Sequence, residues 1–172
     1  MNRLLFWLLF FNFTKLKTNE IMDKFNSIDE ILDFAITNEI RAAEFYENLS
    51  TQAKRKAMKE TFNKFSKEER GHEARLKKIK SEGIFDVKKE DALDMKMSDY
   101  LVKSNTKGKM TYQDALILAM KREKAAYKLY LRLSEIATTK ELKIIFKKLA
   151  GEEANHKMNF EVEYDDYINI DN

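Results

Sequence analysis

The chain contains no cysteine and no proline, and only four glycines and two histidines among its 172 residues. Without cysteine there is no disulfide, no thiolate metal site and no iron–sulfur centre, so any metal must sit on oxygen and nitrogen ligands. Without proline, little in the sequence interrupts long helices. The charged fraction of 35%, rich in Lys and Glu, points the same way, to an all-α fold. A dominant charge is also missing. The formal net charge is +3 with the signs interspersed, and no Lys/Arg stripe alternates with aromatics as a nucleic-acid groove requires. Nucleic acid is therefore not an expected partner. The length fits one domain with a core large enough to need no covalent staple.

Long apolar runs are absent as well. The run from Leu4 to Phe11, LLFWLLFF, is too short to span a bilayer, which takes roughly 20 apolar residues. The following KLKTNEIM offers no small-residue signal cleavage site. Residues 1–21 thus read as an apolar and basic N-terminal extension or a misassigned start, ahead of a domain over 22–172. The alternative is a membrane-surface anchor through residues 4–13. Removing Arg3, Lys15, Lys17 and Glu20 with this segment takes the net charge from +3 to +1. A cytoplasmic location is expected.

What the chain does have is an internal repeat. AITNEIRAAEFYENLS from Ala35 returns as AMKREKAAYKLYLRLS from Ala119. The shared register matches Glu39 with Glu123, Tyr46 with Tyr130, Phe62 with Phe146, Glu68 with Glu152, Glu69 with Glu153 and His72 with His156. The chain therefore reads as two helix pairs, roughly 28–53 with 57–82 and 112–137 with 140–165. Ser27 with Glu30 and Thr138 with Glu141 are expected capping boxes, and Thr111 with Asp114 a weaker one. Gly83 is the expected stop of the second helix. Residues 84–110 are too long for a tight turn and suit a crossover along the bundle, with a short helix near 97–102.

Each helix carries one core-facing stripe at alternating spacings of four and three. Its first copy runs Leu32, Ala35, Glu39, Ala42, Tyr46 and Leu49, and its second Phe62, Phe65, Glu69, His72, Leu76 and Ile79. The third is Leu116, Ala119, Glu123, Ala126, Tyr130 and Leu133, and the fourth Phe146, Leu149, Glu153, His156 and Phe160. Every stripe is apolar except near its middle. There each helix places one glutamate, and two helices add a histidine three residues later, on the same face and about 4.5 Å along the axis. A glutamate on a helix is ordinarily solvated, and that reading suits Glu44, Glu47, Glu68 and Glu152, off or beside the stripes. It fails for Glu39, Glu69, Glu123 and Glu153, because four carboxylates in one core layer would each cost several kcal/mol uncompensated. Two divalent cations held by these four with His72 and His156 would balance the charge. Oxygen and imidazole ligands suit Fe, Mn or Zn.

Two helices giving a Glu and two giving Glu-x-x-His is the pattern of di-iron and di-manganese carboxylate bundles. Through A-I-x-x-E-x-x-A-x-x-F-Y at Ala35 to Tyr46 and the endings Glu68-Glu69-x-x-His72 and Glu152-Glu153-x-x-His156, the sequence resembles the rubrerythrin family of the ferritin-like superfamily over residues 27–168. The resemblance implies a ferritin-like four-helix bundle, two iron ions, and oxidoreductase chemistry that reduces hydrogen peroxide or oxygen. It also implies a homodimer. Two features depart from the family. There is no four-cysteine rubredoxin-like module, so electrons must come from an external donor such as a rubredoxin or a flavoprotein reductase. The position of the extra carboxylate common on the third helix is Ala126, which brings the site closer to the symmetric six-ligand centre of bacterioferritin-like proteins. A ferroxidase or iron-handling role, a dimanganese site, and a structural two-metal bundle without turnover are the alternatives.

Tyr46 and Tyr130 lie two turns beyond Glu39 and Glu123. They read either as core aromatics or as phenols donating to ligating carboxylates. Ala42 and Ala126 leave room beside the metals for a diatomic ligand, or simply allow tight packing. Replacing Glu69 or Glu153 by Gln is expected to weaken metal binding while relieving charge repulsion in the metal-free chain.

Overall fold

The structure, a computed structural model, describes residues 24–53, 55–87, 89–102 and 110–170. The segment 1–21, read above as an extension, lies outside the described residues. In chain order the helices are α1 (Ile28–Gln52), α2 (Lys56–Ser81), α3 (Lys89–Leu93), α4 (Tyr112–Ile136) and α5 (Lys140–Ile170), with a 3-10 turn at Met97–Asp99 between α3 and α4. The four long helices lie within one residue of the expected bounds, except that α5 runs five residues further. Two isolated bridges, Lys24 with Lys96 and Val87 with Ala137, are the only β-type pairings among the described residues. The all-α expectation holds.

Local chemistry sets the helix ends, with two changes from the sequence reading. Ser27 accepts the Glu30 amide at its Oγ, but the Glu30 carboxylate reaches back to the Asn26 amide at 2.7 Å rather than to Ser27 itself. Thr111 and Asp114, expected to be the weaker pair, form the complete reciprocal box. The start of α5 is capped by Thr139, whose Oγ1 accepts from the Leu142 amide at 3.3 Å, and not by Thr138. Thr138 instead holds the crossover, donating from its amide and its hydroxyl to the Asp86 carbonyl at 3.2 and 2.9 Å. At the end of α2, Gly83 takes φ +61°, and the Gly83 and Ile84 amides return to Lys80 and Ile79. That is a Schellman stop, and its left-handed residue favours glycine.

Each half is an antiparallel hairpin, α1 with α2 and α4 with α5. The crossover between them begins at the end where Val87 meets Ala137 and Phe25 donates to the Met95 carbonyl. Leu101 and Val102 reach the middle of the bundle beside Ala42 and Ala125, and Met110 packs at the far end. The crossover therefore has its described parts at one end, the middle and the far end of the bundle. Its short helix lies at 89–93, earlier than expected, and only a 3-10 turn occupies 97–99.

The core is split into two apolar clusters. One holds Leu32, Leu76, Tyr130, Leu133, Phe146 and Leu149, the other Tyr46, Phe62, Phe65, Leu116 and Phe160. Between them lies one polar layer made of the six expected residues, none more than 4% exposed. The two aromatic sets pack edge-on or offset, as in Tyr46 with Phe160 at 5.2 Å and Phe85 with Phe146 at 5.2 Å. These rigid clusters fix the axial position of the layer from both sides.

Candidate metal centre

The three-residue spacing in α2 and α5 stacks each histidine one turn above its glutamate, so that Nδ1 turns inward. His72 Nδ1 lies 3.0 Å from Glu69 Oε2, 2.9 Å from Glu153 Oε1 and 3.5 Å from Glu39 Oε2. His156 Nδ1 lies 2.9 Å from Glu69 Oε1, 3.5 Å from Glu123 Oε2 and 3.8 Å from Glu153 Oε2. Two four-residue sets result, each offering ligand atoms within 4.8 Å of one another: Glu39, Glu69, His72 and Glu153, and Glu69, Glu123, Glu153 and His156. Glu69 and Glu153 belong to both. Glu39 and Glu123 each serve one set.

The phenols lie at the two ends of this layer and reach across the repeat. Tyr46 donates to Glu123 Oε1 and Tyr130 donates to Glu39 Oε1. Each non-shared carboxylate thus has one oxygen held by a phenol and the other turned to a histidine.

Electrostatics separate the four carboxyls. Burial, followed by the charge of Glu69, raises Glu39 well above the usual carboxylate range. Burial also raises Glu153, with Glu69, Glu39 and Glu123 adding to it. At Glu69 burial pushes upward too, but the close approach of His156 and His72 outweighs it and holds this carboxyl low. Burial favours neutral imidazoles, yet the surrounding carboxylates win: His156 is raised to about 10 by Glu123 and Glu69, and His72 is raised by Glu153, Glu39 and Glu69. In the metal-free chain, protons therefore stand where cations would balance the charge.

Those protons do not complete the bonding. Both oxygens of Glu69, Oε2 of Glu123, Oε1 of Glu153 and Nδ1 of both histidines are buried without a hydrogen-bond partner among the described residues. Buried polar atoms are nearly always satisfied, so six orphans converging on one layer mark a place for a ligand they all share. All are metal-donor atoms, and imidazole with carboxylate and no sulfur fits iron, manganese or zinc. The residues fit two divalent cations.

Glu68 and Glu152, read from sequence as solvated, are not free of the site. His72 Nε2 lies 3.0 Å from Glu152 Oε2, and His156 Nε2 lies 3.0 Å from Glu68 Oε2. Each carboxylate orients a histidine of the other hairpin, leaving Nδ1 for metal. The signal was present in the repeat, since both copies keep Glu-Glu before x-x-His. Glu152→Ala is expected to weaken one metal site by roughly 10–100-fold. Metal titration followed by elemental analysis checks this, and an unchanged affinity would remove the carboxylate from the centre.

A cavity of about 100 Å³ reaches all four glutamates of the centre. Ala42 and Ala126 line it, half-buried, between α1 and α4, and Tyr100, Leu101 and Val102 of the crossover line it too. Arg41 and Arg122 also line it. Sequence reasoning singled out neither arginine.

Comparison with known proteins accords with this geometry. The Rubrerythrin family model matches residues 30–164. A solved structure, a hypothetical protein from Pyrococcus furiosus, is similar at 30% identity with a TM-score of 0.66, covering 84% of this chain and 92% of its own. The comparison with curated proteins gives no match. No helix of the described residues is long and apolar enough to cross a membrane. A family match spanning both hairpins, on a bundle whose central layer gathers four glutamates and two histidines, places this chain in the rubrerythrin family.

Proposed function

We propose that the chain is a di-iron oxidoreductase that reduces hydrogen peroxide or oxygen with electrons from a separate donor. The observation that carries this reading is the pair of overlapping ligand sets sharing Glu69 and Glu153, with a cavity that reaches every glutamate. Two bound irons supply two electrons by passing from Fe(II) to Fe(III), which matches the demand of H2O2 + 2H⁺ + 2e⁻ → 2H2O. The protein supplies the rest. Glu69 and Glu153, common to both ligand sets, would hold the two metals, and Glu152 and Glu68 fix the imidazole orientations. Tyr46 and Tyr130 keep a phenolic proton at Glu123 Oε1 and Glu39 Oε1. The apolar clusters close the layer on both sides along the bundle, leaving the cavity as the polar approach.

With both metals bound, Arg41 and Arg122 beside the cavity would oppose the arrival of a further free cation along it. That favours a small neutral oxidant over Fe(II) as the species entering by this route, and so a peroxidase-type role over iron handling. With no cysteine to hold an electron relay, the donor is a separate protein such as a rubredoxin or a flavoprotein reductase.

Reconstitution with Fe(II) is expected to saturate at two irons per chain. Peroxide is then expected to oxidise the reduced centre once, with sustained consumption only after a donor system is added. Saturation at one iron per chain removes the two-metal reading. Fe(II) consumed as substrate, with ferric mineral retained in a large hollow assembly, would replace the reductase reading with iron handling.

A further inference from the structure

Seven buried side-chain atoms among the described residues lack a hydrogen-bond partner. Six belong to the metal layer, and the seventh is Nη1 of Arg122. Arg122 is held in place by stacking, its guanidinium carbon 4.4 Å from the centroid of the Phe45 ring, rather than by a carboxylate. Arginines elsewhere in the fold behave differently. Arg55 pairs with Glu163, Arg70 with Glu73, Arg75 with Glu152 and Arg132 with Glu135. Among the described residues, the arginines with no carboxylate within ion-pair distance are Arg41 and Arg122, and both line the cavity over the glutamates.

The repeat makes this placement more telling. Arg122 occupies the position of Asn38, and Arg41 that of Ala125, and all four residues line the cavity. The two halves therefore agree on the metal ligands and differ in where they put positive charge. Four carboxylates and two divalent cations sum to zero, so in the loaded protein the two guanidiniums would be the uncompensated charges among the residues lining the cavity. Their charges repel each other, a cost that an anion between them would remove.

We propose that this cavity binds a small oxyanion, held by Arg122 and Arg41 beside the metal centre. The guanidinium fork presents parallel N–H donors suited to a phosphate-like or carboxylate-like oxygen pair. A volume of about 100 Å³ admits one such ion. The site needs the arginines and the cavity, not turnover, and so stands apart from the reaction proposed above. Because it opens onto the glutamates, an anion there shares the space an oxidant must enter.

The test is calorimetric titration of inorganic phosphate into the metal-loaded full chain at low ionic strength, with metal content measured for every variant. One saturable site per chain is expected. Arg122→Gln is expected to weaken it about tenfold or more, and Arg122→Lys, which keeps charge but loses the fork, to weaken it less. Arg55→Gln, whose arginine pairs with Glu163 and Asp166, none of which lines the cavity, is expected to leave it unchanged. Should Arg122→Gln lower the metal content, Arg41→Gln decides by the same criterion. Absence of saturable binding overturns the proposal. So does phosphate binding that persists undiminished in both glutamine variants, because the metals or an adventitious surface site then hold the ion. Failure of the metal-centre reading would instead appear as missing metal.

Discussion

Stripping the metals is expected to lower the melting temperature by roughly 15–30 °C, and by more at pH 8 than at pH 5.5. The magnitude follows from linkage. Two sites, each at about a thousandfold excess of metal over Kd, contribute about 4 kcal/mol apiece, and 1 kcal/mol corresponds to about 2–4 °C for a chain of this size. The pH dependence follows from the proton positions in the metal-free layer. Glu39 and Glu153 are raised by burial in the fold, so their stabilising protons are present at low pH and are lost as pH rises through the folded values. His156, raised to about 10, contributes fully below the ordinary imidazole value of about 6.5 and loses that contribution towards 10. Glu69, held low, contributes only above the ordinary carboxylate range and is constant across this window. The metal-free form therefore weakens from pH 5.5 to pH 8. The loaded form gains over the same interval, because metals compete with protons for the same ligands. Thermal melts with and without chelator at the two pH values read the difference. An equal loss at both would mean that these carboxyls do not share a buried layer.

Glu69→Gln is expected to be the most damaging single substitution at the centre. Its two oxygens lie 3.0 and 2.9 Å from the Nδ1 atoms of His72 and His156, so it touches both metal positions. Its loss should exceed the roughly 10–100-fold cost of removing an outer-shell partner, at both sites. The metal-free protein should suffer as well, since Glu69 is held low by the close approach of both imidazoles. Glu153→Gln should also lose metal but leave the metal-free chain as stable or more so, because burial raises that carboxyl and an amide resembles its neutral form. The sequence treats these two repeat-related glutamates alike, as repelling charges whose removal stabilises. Geometry separates them, since Glu153 lies 2.9 Å from one histidine and 3.8 Å from the other. Metal titration and melts of the metal-free variants test this, with exposed Glu44→Gln as the control. Identical metal-free stabilities for the two variants would show that the layer shares its proton evenly.

The helices, their pairing and the central layer were legible because each rests on local periodicity. An alternating four-and-three spacing selects one face of a helix, and the 84-residue repeat selects the same face twice. The Schellman stop at Gly83 was equally local. The start of α5 was not, because Thr138 and Thr139 are equivalent as capping residues until the crossover brings Asp86 against Thr138. The short helix was misplaced for a related reason. Its segment is held by pairing with Phe25 and Ala137, which no pattern within 84–110 encodes.

By itself, then, the sequence determined the all-α bundle, the duplicated hairpin, and the six side chains that meet in one buried layer. Helix geometry fixes which face a residue occupies from its number alone. Only the tertiary structure decided which groups face each other across the layer. The two hairpins exchange partners, giving Tyr46 to Glu123, Tyr130 to Glu39, His72 to Glu152 and His156 to Glu68. It also decided that Arg41 and Arg122 flank the cavity without carboxylate partners among the described residues. Those relations depend on the rotation and axial offset of one helix against another. Both are set by how the aromatic clusters on either side of the layer pack, and a single helix's periodicity carries no record of them.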